Sequence, residues 1–169
     1  MSKSQRRAGG ERAGGPETKL EDVVARVHQE TPLWQTYLSV HRQIVDRLAE
    51  QMLNDHQLPL EWYDVLMNLA DVPGHQLRQR ELSDRLLLSE SGVSRRLARM
   101  AKAGLLERTP ADDDRRGVAV ALTEKGAATL LEATDSHLAL VAQLFTDKLT
   151  ATELIALPQI LSKLDTRTD

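Results

Sequence analysis

Two short helical segments separated by a connection only long enough for a turn constrain this chain more than any other feature. Between Arg80 and Gly126 the sequence opens with RELSDRLLLSESGVSRRLARMAKAGLLER, where Glu81 to Leu87 and Ser91 to Ala103 are apolar-periodic and Leu88 and Ser89 join them. At roughly 100° per residue, Val93, Leu97, Met100 and Gly104 share one face of the second segment, while Ser91, Arg95, Ala98 and Lys102 fall opposite. One side suits a core and the other forms a cationic rod. Two helices so joined read as a helix-turn-helix, whose second helix can enter a DNA major groove of about 12 Å.

The residues that follow extend the motif. Val118, Val120 and Leu122 alternate with Ala119 and Ala121 as in a half-buried strand, and Leu105 to Thr109 supplies a partner. Pro110 to Gly117 is then expected to be a charged hairpin tip. The predicted fold class is mainly α: a winged helix-turn-helix reading head with a small β-hairpin wing, flanked by N- and C-terminal helices.

Charge distribution supports a reading head better than the total does. The formal net charge is -3, yet Arg78 to Arg116 carries ten Lys/Arg against seven Asp/Glu, a local +3 that leaves -6 elsewhere. Local sign governs how a surface meets phosphates. No cysteine is present, so neither a disulfide framework nor a thiolate metal site is available. The histidines at 28, 41, 56, 75 and 137 show no i,i+4 pairing, and the aspartates at 112 to 114 lack the alternating ligands of a calcium loop, so no metal or cofactor is expected. Neither a Ser/His/Asp order nor a phosphate-cradling glycine loop stands out, so the chain does not read as an enzyme. No run of about 18 apolar residues occurs, and the Gly-rich start lacks a signal-peptide core, so a cytoplasmic protein without a membrane partner is expected.

Taken in order, residues 1–17 form a basic, Gly-rich tail with little to bury. Residues 18–57 hold N-terminal helices: Thr18-x-x-Glu21 is a capping box followed by Leu20, Val23, Val24 and Val27. Thr31-Pro32 then starts a long helix with the stripe Trp34, Tyr37, Leu38, His41, Val45, Leu48 and Met52. Residues 58–123 are the DNA-binding domain, opened by Pro59 and a helix with Leu60, Tyr63, Leu66, Met67 and Ala70 inward, and Gln76 to Arg78 supply a small third strand. Residues 124–165 hold C-terminal helices, capped by Thr123 and by Thr150-x-x-Glu153, with stripes at Ala127, Leu130, Leu131, Thr134, Leu138, Val141, Phe145 and at Leu154, Leu157, Leu161, Leu164. Pro158 should kink the last helix, and residues 166–169 are a tail. Apolar stripes at both ends with little of their own domain to cover predict a two-fold homodimer.

These residues resemble the multiple-antibiotic-resistance regulator (MarR) family of bacterial winged-helix transcription factors over about Pro32 to Leu164. The resemblance is carried by Ala103-Gly104-Leu105-Leu106-Glu107-Arg108 after the recognition helix, Asp114-Arg115-Arg116-Gly117 in the wing, and Leu122-Thr123-x-x-Gly126. It implies a dimeric regulator of double-stranded DNA at a pseudo-palindromic operator, a repressor released by a small, often aromatic effector bound between the dimerisation helices and the reading head. It also implies a minor-groove role for Arg116, which Asp114 would orient.

Particular roles follow. Ser89 is expected to cap the recognition helix or hold a phosphate there. Ser91, Ser94 and Arg95 are candidates for base edges, and Arg99, Lys102 and Arg115 for phosphates. Arg96 lies about 60° from the core face and suits an ion pair with a carboxylate of a preceding helix. For an effector, Trp34, His41, Trp62, Tyr63, Asp64 and Arg96 are the candidate lining. The competing reading is a protein-interaction module that keeps the winged helix without DNA reading, for which the acidic cluster at 112 to 114 is the best support.

Overall fold

The computed structural model describes residues 19–86, 90–111 and 114–164, with backbone alone at 90, 91, 111 and 114–116. The chain divides into two units, one ending at His41 and the other beginning at Arg42. In the first, α1 (Leu20–Glu30) buries none of its residues, and Leu20, Val23, Val24 and Val27 all stand exposed. It starts on Lys19 without a side-chain cap, one residue later than a Thr18 cap would place it, and Thr18 lies outside the described residues. Thr31 closes α1 by donating its hydroxyl to the Val27 carbonyl at 2.7 Å, and Pro32 opens α2 (Pro32–His56). A proline at a first helical position loses no intrahelical bond, because that amide has no partner there anyway.

The second unit is built around α3 (Leu60–Ala70), β1 (Gln76–Arg78), α4 (Gln79–Arg85), α5 (Glu90–Lys102), β2 (Leu106–Ala111), β3 (Asp114–Leu122), α6 (Glu124–Leu144) and α7 (Ala151–Ser162). Its core joins Met52 of α2 with Tyr63, Val65, Leu66 and Leu69 of α3, Leu82 of α4, Val93, Leu97 and Met100 of α5, Val120 of β3, and Leu130 and Ala133 of α6. Val93, Leu97 and Met100 are fully buried, as their spacing predicts. Each such side chain contributes about 1.5–3 kcal/mol by leaving water, and together they fix which face of α5 turns outward.

On α3 the expectation needs correction. Met67 is 41% exposed, whereas Val65 and Leu69 are fully covered. This helix is apolar on most of its circumference, so spacing alone could not choose the inward stripe. The stripe on α6 is likewise only partly internal: Leu130 and Ala133 are buried, but Leu131 and Leu138 are exposed at 74% and 57%. On α7 no residue is buried, and the helix continues through Pro158.

The sheet is antiparallel in the order β1-β3-β2, with Leu77 opposite Val120 and Arg108 opposite Val120 from the other side. A central position explains why Ala119 is buried along with Val120. The hairpin is longer than the sequence suggests: pairing continues to Ala111 opposite Asp114, inside the expected tip at Pro110 to Gly117, and residues 112–113 lie outside the described residues. Pro110 is tolerated because β2 is an edge strand, and the register shifts beside it, where its missing amide costs no ladder bond.

Candidate nucleic-acid interface

Five hydrogen bonds and two glycines hold the C-terminal end of α5. Gly104 adopts φ 76°, its amide donating to Ala101 at 2.9 Å while Leu105 donates to Met100 at 3.1 Å. This is a Schellman motif, with the apolar residue after the glycine tucked back toward the helix, as the near-complete burial of Leu105 and Met100 shows. The start of α6 completes the closure. Thr123 donates its hydroxyl to the Gly104 carbonyl at 2.8 Å and accepts from the Gly126 amide at 3.0 Å, and Lys125 Nζ donates to the Ala103 carbonyl at 2.8 Å. The carbonyls of the two residues just past α5 are thereby satisfied by the start of the helix that follows the wing. Ala-Gly-Leu-Leu and Leu-Thr-x-x-Gly are two halves of one clamp.

On the helix so held, Arg95, Ala98, Arg99 and Lys102 are exposed, and Ser94 is half-buried beside them. Gly92, Arg95, Arg96, Ala98 and Arg99 line an open depression of about 600 Å³. Seven residues of helix separate Arg95 from Lys102, a span of about 10 Å. A row of cations of that length on a fixed helix can meet successive phosphates while its leading residues face base edges. Ser91 is placed in the first turn of α5, and Asp114, Arg115 and Arg116 at the start of β3, by their backbone. Ser89, and two of the three aspartates that favour a protein-binding alternative, lie outside the described residues. At the base of the wing, Arg108 Nη2 donates to Gln79 Oε1 at 2.9 Å, tying β2 to the first turn of α4. Nothing in the periodicity of the sequence marks that pair.

The candidate effector residues separate into two groups. In the first unit, Trp34 is 55% exposed and stacks on Tyr37 at 5.7 Å, which in turn stacks on His41 at 6.0 Å. In the second, Trp62 is half-buried and packs against the core, while Tyr63 is buried within it with its hydroxyl 3.4 Å from Thr134 Oγ1. Beside Tyr63 the structure brings in a residue the sequence did not single out: the ring of His137 from α6 lies 4.5 Å from that of Tyr63.

Asp64 stands next to this pair. Burial raises its carboxyl above the ordinary range, against the opposing pull of His137 and then Arg96, with Glu61 adding to the rise. Arg96 therefore faces a carboxylate on α3 electrostatically, yet its Nε is buried without a hydrogen-bond partner, so the expected ion pair is not a closed one.

The raised carboxyl has a consequence for stability. A folded pKa above the unfolded one means the folded state gains from the proton, a contribution complete below about pH 4 and lost as pH rises through the folded value. Ionised Asp64 is thus a net cost near neutrality. Asp64→Asn is expected to raise the thermal midpoint at neutral pH, with the gain fading as the pH falls to about 4. Thermal unfolding of both proteins at the two pH values checks this, and an Asn variant melting lower at neutral pH would refute it.

A three-stranded wing stacked on a clamped helix-turn-helix defines a winged-helix protein. The family model for the MarR family matches residues 56–117. The transcriptional repressor MprA of Escherichia coli K12 is 31% identical over 161 residues, covering 90% of both chains. The regulator PecS of Dickeya dadantii is 27% identical over 96 residues, which span 56% of this chain but only 57% of PecS. Among solved structures, a mutant MarR from E. coli complexed with operator DNA superimposes with a TM-score of 0.73 at 27% identity, covering 82% of this chain and 96% of that one. This chain belongs to the MarR family of transcriptional regulators. Among the described residues, no helix is long and apolar enough to cross a membrane.

Proposed function

We propose that the protein is a homodimeric, cytoplasmic repressor that reads a pseudo-palindromic double-stranded DNA operator and is released by a small aromatic ligand. The observation that carries this reading is the exposed row Arg95, Arg99 and Lys102 on a helix whose opposite face is fully buried. Arg95, with Ser91 and Ser94, takes the base edges. Arg99, Lys102 and Arg115 take phosphates, Ser89 caps or binds a phosphate at the helix start, and Arg116, oriented by Asp114, takes the minor groove.

Residues 58–123 form the reading head, and residues 18–57 and 124–165 supply the dimer contact. The apolar side chains left exposed on α1, α6 and α7, among them Leu20, Leu131, Leu138, Ile155 and Leu161, support a second copy as their cover. Two copies would set half-sites one helical turn apart, roughly 10 bp. Trp62, Tyr63, Asp64 and Arg96 in the second unit and, separately, Trp34 and His41 in the first are the ligand-contacting residues, and binding would favour a dimer whose helix separation no longer fits the duplex. Operator DNA in the complex of the related E. coli protein, and the word repressor in the name of MprA, support the same assignment.

An electrophoretic shift series against the DNA upstream of the protein's own coding sequence tests it. Specific binding should weaken steeply with salt, by about one counterion per phosphate contact. Binding of equal strength to unrelated duplex, or none, would refute operator reading. A thermal-shift screen with small aromatic acids tests the ligand, since binding to the folded state raises its midpoint by mass action.

A further inference from the structure

Arg108 occupies a place where the wing sheet is otherwise apolar. Directly opposed residues on antiparallel strands turn their side chains to the same face, so the register of Leu77, Val120 and Arg108 across β1, β3 and β2 sets Arg108 on the side that Leu77 and Val120 bury in the core. Leu106, two residues earlier on β2, is buried on that face as well. The half-buried guanidinium is poorly matched there. Its Nη2 donates to Gln79 Oε1 at 2.9 Å, but its Nε is buried without a partner, and no carboxylate pairs with it among the described residues. A buried donor left unpaired costs more than one neutral hydrogen bond returns, so stability does not explain the residue.

The bond has a mechanical use instead. Gln79 is the first residue of α4 and follows directly on β1, and its carbonyl accepts from the buried Ser83 hydroxyl at 2.9 Å. Arg108 therefore ties the outer strand to the joint of β1 and α4, with β3 lying between them in the sheet order. β1 pairs only with Ala119 to Ala121, so from Val118 outward the hairpin is a two-stranded ribbon. Such ribbons twist more strongly than wider sheets, and the direction of the far end is set at the root. Arg108, opposite Val120, stands at that root, and Arg115 and Arg116 stand in the ribbon beyond it.

We propose that Arg108 is a positioning residue for DNA reading: through Gln79 it fixes the angle at which the wing leaves the helix-turn-helix, and so where the wing arginines meet the duplex. It acts without touching DNA itself. The part of this proposal that concerns the duplex rests on the DNA-reading function; the brace between β2 and α4 does not.

The full-length wild type is compared with Arg108→Met, Gln79→Ala and Gln79→Glu. Arg108→Met keeps an unbranched side chain and removes the unpaired donor, so it should melt within about 2 °C of wild type or above it. Gln79→Ala breaks the same bond from the helix with no change on the core face of the sheet, and Gln79→Glu keeps an acceptor. Without DNA, hydrogen exchange in the hairpin outward of Arg108 should rise roughly threefold in Arg108→Met and Gln79→Ala, stay at the wild-type rate in Gln79→Glu, and leave α5 unchanged. On the duplex upstream of the protein's own coding sequence, at fixed salt, Arg108→Met and Gln79→Ala should each bind roughly fivefold or more weakly, with Gln79→Glu within about twofold of wild type. Adding Arg116→Ala to either weakened variant should lower binding little further, because residues that act through one contact are not additive. Additive losses, or a loss in Arg108→Met that Gln79→Ala does not share, mean that Arg108 meets DNA on its own and overturn the proposal. A hairpin that exchanges alike in every protein overturns it too, as does Arg108→Met melting more than about 4 °C below wild type. A wild type that binds no duplex defeats the DNA-reading function and leaves the exchange arm to decide the brace.

Discussion

Arg95→Ala is expected to lower affinity for the operator while leaving affinity for unrelated duplex nearly unchanged. A bidentate arginine contact to a guanine carries about 1–3 kcal/mol of discrimination, and a symmetric dimer makes it twice. The specific complex should therefore weaken by at least about tenfold and approach the nonspecific baseline. Because Arg95 is exposed and the residues that hold its helix are elsewhere, stability should stay within about 0.5 kcal/mol of wild type. Arg99→Ala and Lys102→Ala should behave differently, weakening binding to every sequence alike and reducing the salt slope by about one each. Footprint and titration against both duplexes separate the cases. If Arg95→Ala weakens both duplexes equally, Arg95 meets phosphates and base reading belongs to other residues of the rod.

That contrast depends on a helix face that is legible in the residue order itself, because α5 has one narrow apolar stripe with Arg95, Arg99 and Lys102 away from it. The winged motif is legible for the same reason, two periodicities meeting at a turn. Where the sequence misleads, the physical cause differs from place to place. On α3, Trp62, Tyr63, Val65, Leu66, Met67 and Leu69 crowd one helix, and only the packing of α6 and the sheet decides that Val65 and Leu69 are covered and Met67 is not. On α6 and α7 the stripes are real, but a stripe states that a face must be covered and not by what; Leu131 and Leu138 remain exposed in the single chain. The hairpin tip is shorter than expected because charged residues read as loop, although strand pairing needs only backbone. His137 carries no signal at all, being a lone histidine whose meaning comes from Tyr63 and Asp64 on another helix.

The glycine of Leu-Thr-x-x-Gly shows how a motif can be read correctly and its reason missed, and it yields the second large effect. A Cβ at Gly126 would stand 2.0 Å from the Leu105 carbonyl oxygen and 2.9 Å from Leu122 Cδ1. The first of these is backbone, in the segment that joins α5 to β2, and it already accepts from the Thr123 amide at 3.3 Å. It cannot retreat without breaking that bond, so in Gly126→Ala the start of α6 must move off the end of the recognition helix. The Thr123 and Lys125 bonds to Gly104 and Ala103 would be strained with it. We expect a loss of about 3 kcal/mol or more, the upper range for overpacking, and a fall in thermal midpoint of about 6–12 °C for a chain of this size. Gly104→Ala is the proper comparison, since that residue holds a left-handed backbone at φ 76° but has open space, its nearest neighbour being Lys125 Cδ at 3.7 Å. Backbone strain alone should cost it about 1 kcal/mol. If the two variants melted together, the clamp would be a matter of backbone conformation and not of close approach; if Gly126→Ala melted within about 2 °C of wild type, α6 would not be pressed against the recognition helix in solution.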